Sequence, residues 1–309
     1  MGTYYAVTFR DSSTTITKPK IDSILIALNN EVSTYIASSA ISGYNQSTDP
    51  IVTIGSDQTH FWTNYRLSKE IYAQSEGFFN PQIMPLVNFW GFGYTKKDTT
   101  KDVAVIPRLV SAVQSSQEAK SNGITKSDPL VKLDFSAVAK GYGVDLLVHT
   151  LALEGVTDYL VDIGGESRGK GVNKNGNIWT VGIQNPKEGA SINDVKSAIQ
   201  LNNSAIATSG NYRNFYEENG KKFVHTINPF TGFSERSKLL SASVLVTQSA
   251  FPCATADGWA TAFMTMGVEK AIKKASEIEY LDAYFIYIDS STNEVKEYLT
   301  PGFQQVKIR

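Results

Sequence analysis

Cysteine occurs once in this 309-residue chain, at Cys253, so no disulfide can form within it. A lone cysteine suits a cytoplasmic protein and a disulfide-free exported one equally. Excess charge is also missing. The 29 basic and 30 acidic side chains leave a formal net charge of -1, with no electrostatic footprint for nucleic acid or an anionic membrane. No run of about 18 apolar residues occurs, which excludes a spanning helix within these residues. The histidines are His60, His149 and His225, too scattered for a typical zinc site.

The loops of the familiar nucleotide machines are absent too. There is no G-x-x-x-x-G-K-[ST] phosphate loop, no G-x-G-x-x-G fingerprint after a strand, and no G-x-S-x-G elbow. No internal repeat, low-complexity tract or linker interrupts the chain. Nothing leader-like precedes the alternating Tyr4 to Phe9, so either there is no export signal or one has been removed ahead of Met1.

What is present reads as an ordinary globular protein, 41% hydrophobic and 19% charged. The length leaves room for one large domain or two intimately packed ones. Ile21, Ile24, Leu25, Leu28 and Val32 share one face at helical spacing and predict a helix from Lys20 to about Ser33. The small polar residues from Ser33 to Asn45 read as an ordered loop. Further helices are expected over Leu67–Ser75, Ala139–Leu153, Thr255–Met266 and Val268–Glu277. Strands are expected over Tyr4–Phe9, Val131–Phe135, Asp158–Gly164, a short partner after Gly165, Ile178–Gln184, Ser241–Thr247, Ala283–Asp289 and Glu294–Tyr298. Asn219-Gly220, flanked by Arg213 to Glu218 and Lys221 to Ile227, signals a hairpin, because both turn positions need positive φ. Gly77 to Gly93 is aromatic and rich in Gly and Pro without a clean period. The order is not a regular βαβ alternation, so the fold class is α+β, with mixed, largely antiparallel sheets flanked by helices.

Asp257 and Thr261 lie one turn apart on one helix face. A carboxylate plus a hydroxyl is a hard-oxygen pair suited to magnesium, although dipole complementarity and a back-bonded hydroxyl account for most such pairs. His225 ends a strand just before Thr226-Ile-Asn-Pro-Phe-Thr-Gly232, a place suited to general-base work or to a simple carbonyl contact. Asp134 to Gly143 is a strand-to-helix junction that could bind an anion with Lys140 adding charge, or be ordinary capping by Asp134 and Ser136. Trp90-Gly-Phe-Gly93 could stack on a flat ring system or be core, and Tyr35 and Tyr44-Asn45 leave the same choice.

Taken in order, these segments are more specific than each alone. Met1-Gly-Thr3, Val32-Ser-Thr-Tyr35 with Ala40-Ile-Ser-Gly-Tyr-Asn45, Leu86-Val-Asn-Phe-Trp-Gly-Phe-Gly93, Asp134-Phe-Ser-Ala-Val-Ala-Lys-Gly141, Val161-Asp-Ile-Gly-Gly165, Thr208-Ser-Gly-Asn-Tyr212, His225-Thr-Ile-Asn-Pro-Phe-Thr-Gly232 and Ala256-Asp-Gly-Trp-Ala-Thr-Ala262 occur in sequence. Together they resemble, from end to end, the ApbE family of FAD:protein FMN transferases.

The resemblance implies a T-fold-related architecture and one flavin transferase domain over residues 1–309; two closely packed lobes with the FAD site between them fit the same length. It implies an enzyme that moves FMN from FAD to a Ser or Thr hydroxyl of an acceptor protein, with magnesium, releasing AMP. The alternatives are an FAD pyrophosphatase giving FMN and AMP, and a non-catalytic flavin-binding protein. The catalytic histidine would be His225. Magnesium would be held by Asp257, Thr261 and the main-chain oxygen of Ala137. FAD would be contacted by Met1, Tyr35, Asn45, Asn88, Phe89, Trp90, Asp134, Lys140, Ser209, Gly210 and the backbone at Ile227. The acceptor would be a respiratory or electron-transfer subunit outside the cytoplasm, with the enzyme in the periplasm or on the outer face of the cytoplasmic membrane, lipid-anchored as is common in the family. One position departs: where the family commonly carries His-x-Ile-Asp-Pro, this chain has Asn228, which can cap the turn but cannot supply charge to a second metal.

Overall fold

The strand Leu239–Val246 reads Leu-Leu-Ser-Ala-Ser-Val-Leu-Val and is buried along nearly its whole length. Such a segment needs partners on both edges and cover on both faces. A computed structural model of the chain supplies them. It describes residues 2–11, 14–95, 102–121, 123–187, 189, 191, 194–211, 215–218, 221–234 and 237–308. The chain divides into two compact units, one of Met1–Leu25, Val138–Asn214 and Ser237–Arg309, the other of Ile26–Ala137 and Phe215–Arg236.

The first unit is built on a seven-stranded sheet in the order Tyr5–Phe9, Tyr159–Ile163, Glu166–Lys170, Ser204–Gly210, Leu239–Val246, Leu281–Ile288, Val295–Leu299. Every neighbouring pair is antiparallel. A smaller antiparallel pair, Trp179–Gln184 with Val195–Leu201, accompanies it. The helix Pro252–Met266 packs on Ser204–Gly210 and Leu239–Val246. Its Phe263 meets Phe285 edge-on at 5.1 Å between ring centroids. A separate apolar cluster joins Val144, Leu147 and Leu151 of the helix Ser136–Leu153 to Val161 and Ile163 of the sheet.

The second unit carries the helices Ala40–Gln46, Thr59–Gln74, Met84–Trp90 and Ile106–Val113 beside a three-stranded sheet and the pair Phe215–Glu218 with Lys221–Val224. That pair confirms the hairpin strands; the Asn219-Gly220 turn lies outside the described residues. Trp90, Leu86, Ile106, Val113 and Ile227 form this unit's apolar cluster.

Several expectations are corrected. Val131–Phe135 is no strand: only Lys132 bridges, to Ile83. The Leu133 backbone is bonded instead to the side-chain amide of Asn45, and the Asp134 N–H to the Pro81 carbonyl. The segment Ser33–Asn45 is not all loop, since Ser39 caps the helix Ala40–Gln46 by accepting from Ser42 N at 3.2 Å. The helix expected from Leu67 begins at Thr59, its period hidden because polar Asn64 and Ser68 face inward. The aperiodic Gly77–Gly93 contains the helix Met84–Trp90, ended by Gly91 at φ 79°. Among the described residues no helix is long and apolar enough to cross a membrane.

Candidate functional site

Pro252 opens the helix that carries Asp257 and Thr261, and those two side chains fall one turn apart as the spacing predicts. Asp257 is 2% exposed. Its carboxylate accepts from Lys140 Nζ at 3.3 Å on each oxygen and from the Gly141 N–H at 3.1 Å. The helices of Asp257 and Lys140 can touch there only because Gly141 has no side chain: a Cβ would lie 2.3 Å from the Cys253 carbonyl oxygen. Thr261 Oγ1 stands 3.3 Å from Ser209 Oγ on the strand Ser204–Gly210. Gly210, the last residue of that strand, is paired with Ser241.

The same lysine reaches Glu166 Oε1 at 3.2 Å. Glu166 follows directly on Gly164 and Gly165, whose φ values of 64° and 105° make the tight turn between two sheet strands. Its other oxygen, Oε2, is buried and has no hydrogen-bond partner. The Glu166 carboxyl is raised to about 8, by burial first and by Asp257 as well, against the opposing pull of Lys140. Burial also raises Asp257, against Lys140 and the Gly141 N–H. For Lys140 burial works to lower the ammonium, but Asp257 and Glu166 overcome this and hold it raised.

One ammonium thus serves two buried carboxylates, and the excess negative charge is relieved only by holding a proton or by a further cation. With the Thr261 hydroxyl on the same face, the donors are all hard oxygens, which fits magnesium rather than zinc. Among the described residues no group of three or more His, Cys, Asp or Glu could hold a metal by itself. Ala137 is the second residue of the helix Ser136–Leu153.

A third buried carboxylate supports this arrangement. Asp145, on the Lys140 helix, accepts from the backbone N–H groups of Cys253 and Ala254 at 3.0 Å each and pairs with Arg168 at 2.9 Å. It caps the Asp257 helix from outside, where Phe251 at the cap position makes no side-chain bond.

In the second unit, His225 follows the strand Lys221–Val224 at its end. The chain is pinned just before it: Ser234 Oγ accepts from Val224 N at 2.8 Å and donates back to the Val224 carbonyl. Asn228 caps the following turn, its Oδ1 accepting from Phe230 N at 2.9 Å and Thr231 N at 3.2 Å. Ile227 and Trp90 are brought together in the apolar cluster, with the Trp90 indole donating to the Gly232 carbonyl at 2.7 Å and stacked on Phe223. Phe89 and Asn88 are half-buried beside it, and Asn88 Oδ1 has no partner. Tyr35 is 72% exposed, its hydroxyl 3.5 Å from the Phe92 carbonyl. Asn45 is buried and bonded on both sides of its amide to Leu133, and Asp134 caps Ser136 N at 2.9 Å, its carboxyl raised by burial. Met1 lies outside the described residues.

Glu166 and Asp145 were not among the expected site residues. An acidic residue directly after a Gly-Gly turn, at an inward position of a strand, was the available signal for Glu166; nothing local marks Asp145.

The model of the ApbE family matches residues 1–285. A FAD:protein FMN transferase of Vibrio cholerae serotype O1 is 33% identical over 315 aligned positions, covering 98% of this chain and 90% of that protein. One from Haemophilus influenzae is 35% identical over 291 positions, covering 90% and 82%. The solved structure of the flavin transferase ApbE from Vibrio cholerae matches with a TM-score of 0.86 at 29% identity, covering 99% of this chain and 96% of that one. With a family match over most of its length and relatives above 30% identity across nine tenths of it, the chain belongs to the ApbE family.

Proposed function

We propose that this protein transfers FMN from FAD to a Ser or Thr hydroxyl of an acceptor protein, forming a phosphoester and releasing AMP. The observation that carries the reading is the buried cluster in which the one ammonium of Lys140 is shared between Asp257 and Glu166, with Thr261 on the Asp257 face. Asp257, Thr261 and the Ala137 carbonyl would hold magnesium. When bound, magnesium supplies the positive charge that offsets the negative charge on the pyrophosphate as its bridging bond breaks. Lys140 would face the phosphates as a cation. His225 would take the proton of the incoming hydroxyl, whose oxygen bonds to the FMN phosphorus while the bond to AMP breaks and AMP leaves with the electron pair. Tyr35, exposed and aromatic, would offer a face to the isoalloxazine.

On the family likeness, the acceptor is a respiratory or electron-transfer subunit on the outer side of the cytoplasmic membrane. The test is the intact mass of a small acceptor carrying a Thr-containing flavinylation motif, incubated with this protein, FAD and magnesium. A gain of one FMN, lost with EDTA and with His225→Ala, is the expected result. Free FMN and AMP beside an unmodified acceptor would replace transfer with pyrophosphate hydrolysis.

A further inference from the structure

Glu166 is 4% exposed, and one of its two oxygens is buried without a partner. Its other oxygen shares Lys140 with Asp257, at 3.2 Å against 3.3 Å. Charge-assisted pairs of this kind close to about 2.7–2.9 Å when an ammonium is committed to one carboxylate. Lys140 is committed to neither.

A divalent cation on Asp257 would repel an ammonium lying 3.3 Å from the same two oxygens. The ammonium then needs another anion within reach, and the unused oxygen of Glu166 can accept a further Nζ–H. We infer that Glu166 is a positioning residue, which takes Lys140 over from Asp257 when a divalent cation binds there and supplies the negative charge that sets the cation affinity. The inference rests on Asp257 being the metal ligand of the proposed function.

Formal charge gives the direction of each change. Asp257, Glu166 and Lys140 together carry one net negative charge when ionised. Glu166→Gln removes it, Lys140→Met doubles it, and the double variant restores it. Outer partners of metal ligands typically change affinity by about 10–100-fold.

The experiment is a titration of the full chain with Mn2+ alone at pH 8, read by the EPR signal of the free ion. Metal-free melting curves confirm that each variant is folded. The expected result is binding by the unchanged protein, loss in Asp257→Asn, weakening by about 10–100-fold in Glu166→Gln, and tightening in Lys140→Met. The double variant should return to within a few-fold of the unchanged protein. Loss in Asp257→Asn with unchanged binding in Glu166→Gln overturns the role of Glu166 and leaves the metal assignment standing. Binding that ignores Asp257→Asn, or no binding by the unchanged protein, overturns the metal assignment itself. Should Glu166→Gln not fold, weaker binding in Lys140→Met overturns the inference by itself.

Discussion

Gly141 and Cys253 meet backbone against backbone: a methyl group on Gly141 would lie 2.3 Å from the Cys253 carbonyl oxygen and 2.7 Å from Ala254 Cα. The contact brings the Gly141 N–H within 3.1 Å of Asp257. Gly141→Ala should therefore part the two helices, costing about 1–3 kcal/mol of stability despite the better helix propensity of alanine. The transferase rate should fall with it. Denaturant unfolding and a flavinylation assay check this, and unchanged values for both would contradict the close contact.

Asp257→Asn separates activity from stability. The substitution keeps the shape but removes a buried charge whose carboxyl is raised by burial. A raised acid favours the folded state when protonated and loses that contribution as pH rises through its folded value. Without added metal at neutral pH, the variant should melt at or above the temperature of the unchanged protein. Flavin transfer should drop by a factor of about 100 or more, of the size seen when a charge aimed at the transition state is removed. A clear fall in melting temperature would count against this reading.

Asp145 gives a dependence on pH. Burial pushes its carboxyl up to about 6 from 3.8, while the Ala254 N–H, Arg168 and the Cys253 N–H pull it down. Because the folded value lies above the unfolded one, the stabilising contribution of the protonated form is complete below about pH 4 and lost above about pH 6. At about 1.36 kcal/mol per unit the change is of the order of 3 kcal/mol. Asp145→Asn cannot titrate, so the stability difference between it and the unchanged protein should move toward the variant by that amount across the window. Urea titrations between pH 4 and 7 measure it; a constant difference would rule it out.

Asn45 ties the segment that carries Asp134. It accepts from Leu133 N at 2.6 Å and donates to Leu133 O at 2.9 Å. Asn45→Ala leaves both backbone groups buried and unanswered, costing about 2–3 kcal/mol. If Asp134 contacts FAD, the KM for FAD should rise as well, whereas a pure stability loss would leave it unchanged once the protein is folded.

Long segments with a clear period were legible. The helix through Ile21, Leu25 and Val32 and the helix Val268–Glu277 appear within two residues of their expected bounds. The strands Tyr159–Ile163 and Leu281–Ile288 were equally plain. Ser204–Gly210 was not, because a strand of Ser, Ala, Ile, Thr and Gly shows no alternation. Its small residues have a tertiary reason, since the Asp257 helix packs on it. The apolar alternation of Val131–Phe135 misled for the converse reason: its backbone partners are the Asn45 amide and the Pro81 carbonyl, not another strand.

From its residues alone the chain determined an α+β fold with antiparallel sheets, a helix presenting Asp257 and Thr261 on one face, and a histidine at a strand end. Ordered motifs determined the family. Helical and strand periods are local, so spacing suffices to read them. Which charges share one buried space is not local. That Lys140 lies between Asp257 and Glu166, and that Asp145 caps a helix more than a hundred residues away, was decided only when the sheet and its helices packed. There, desolvation makes each unpaired charge costly and leaves the cluster short of positive charge.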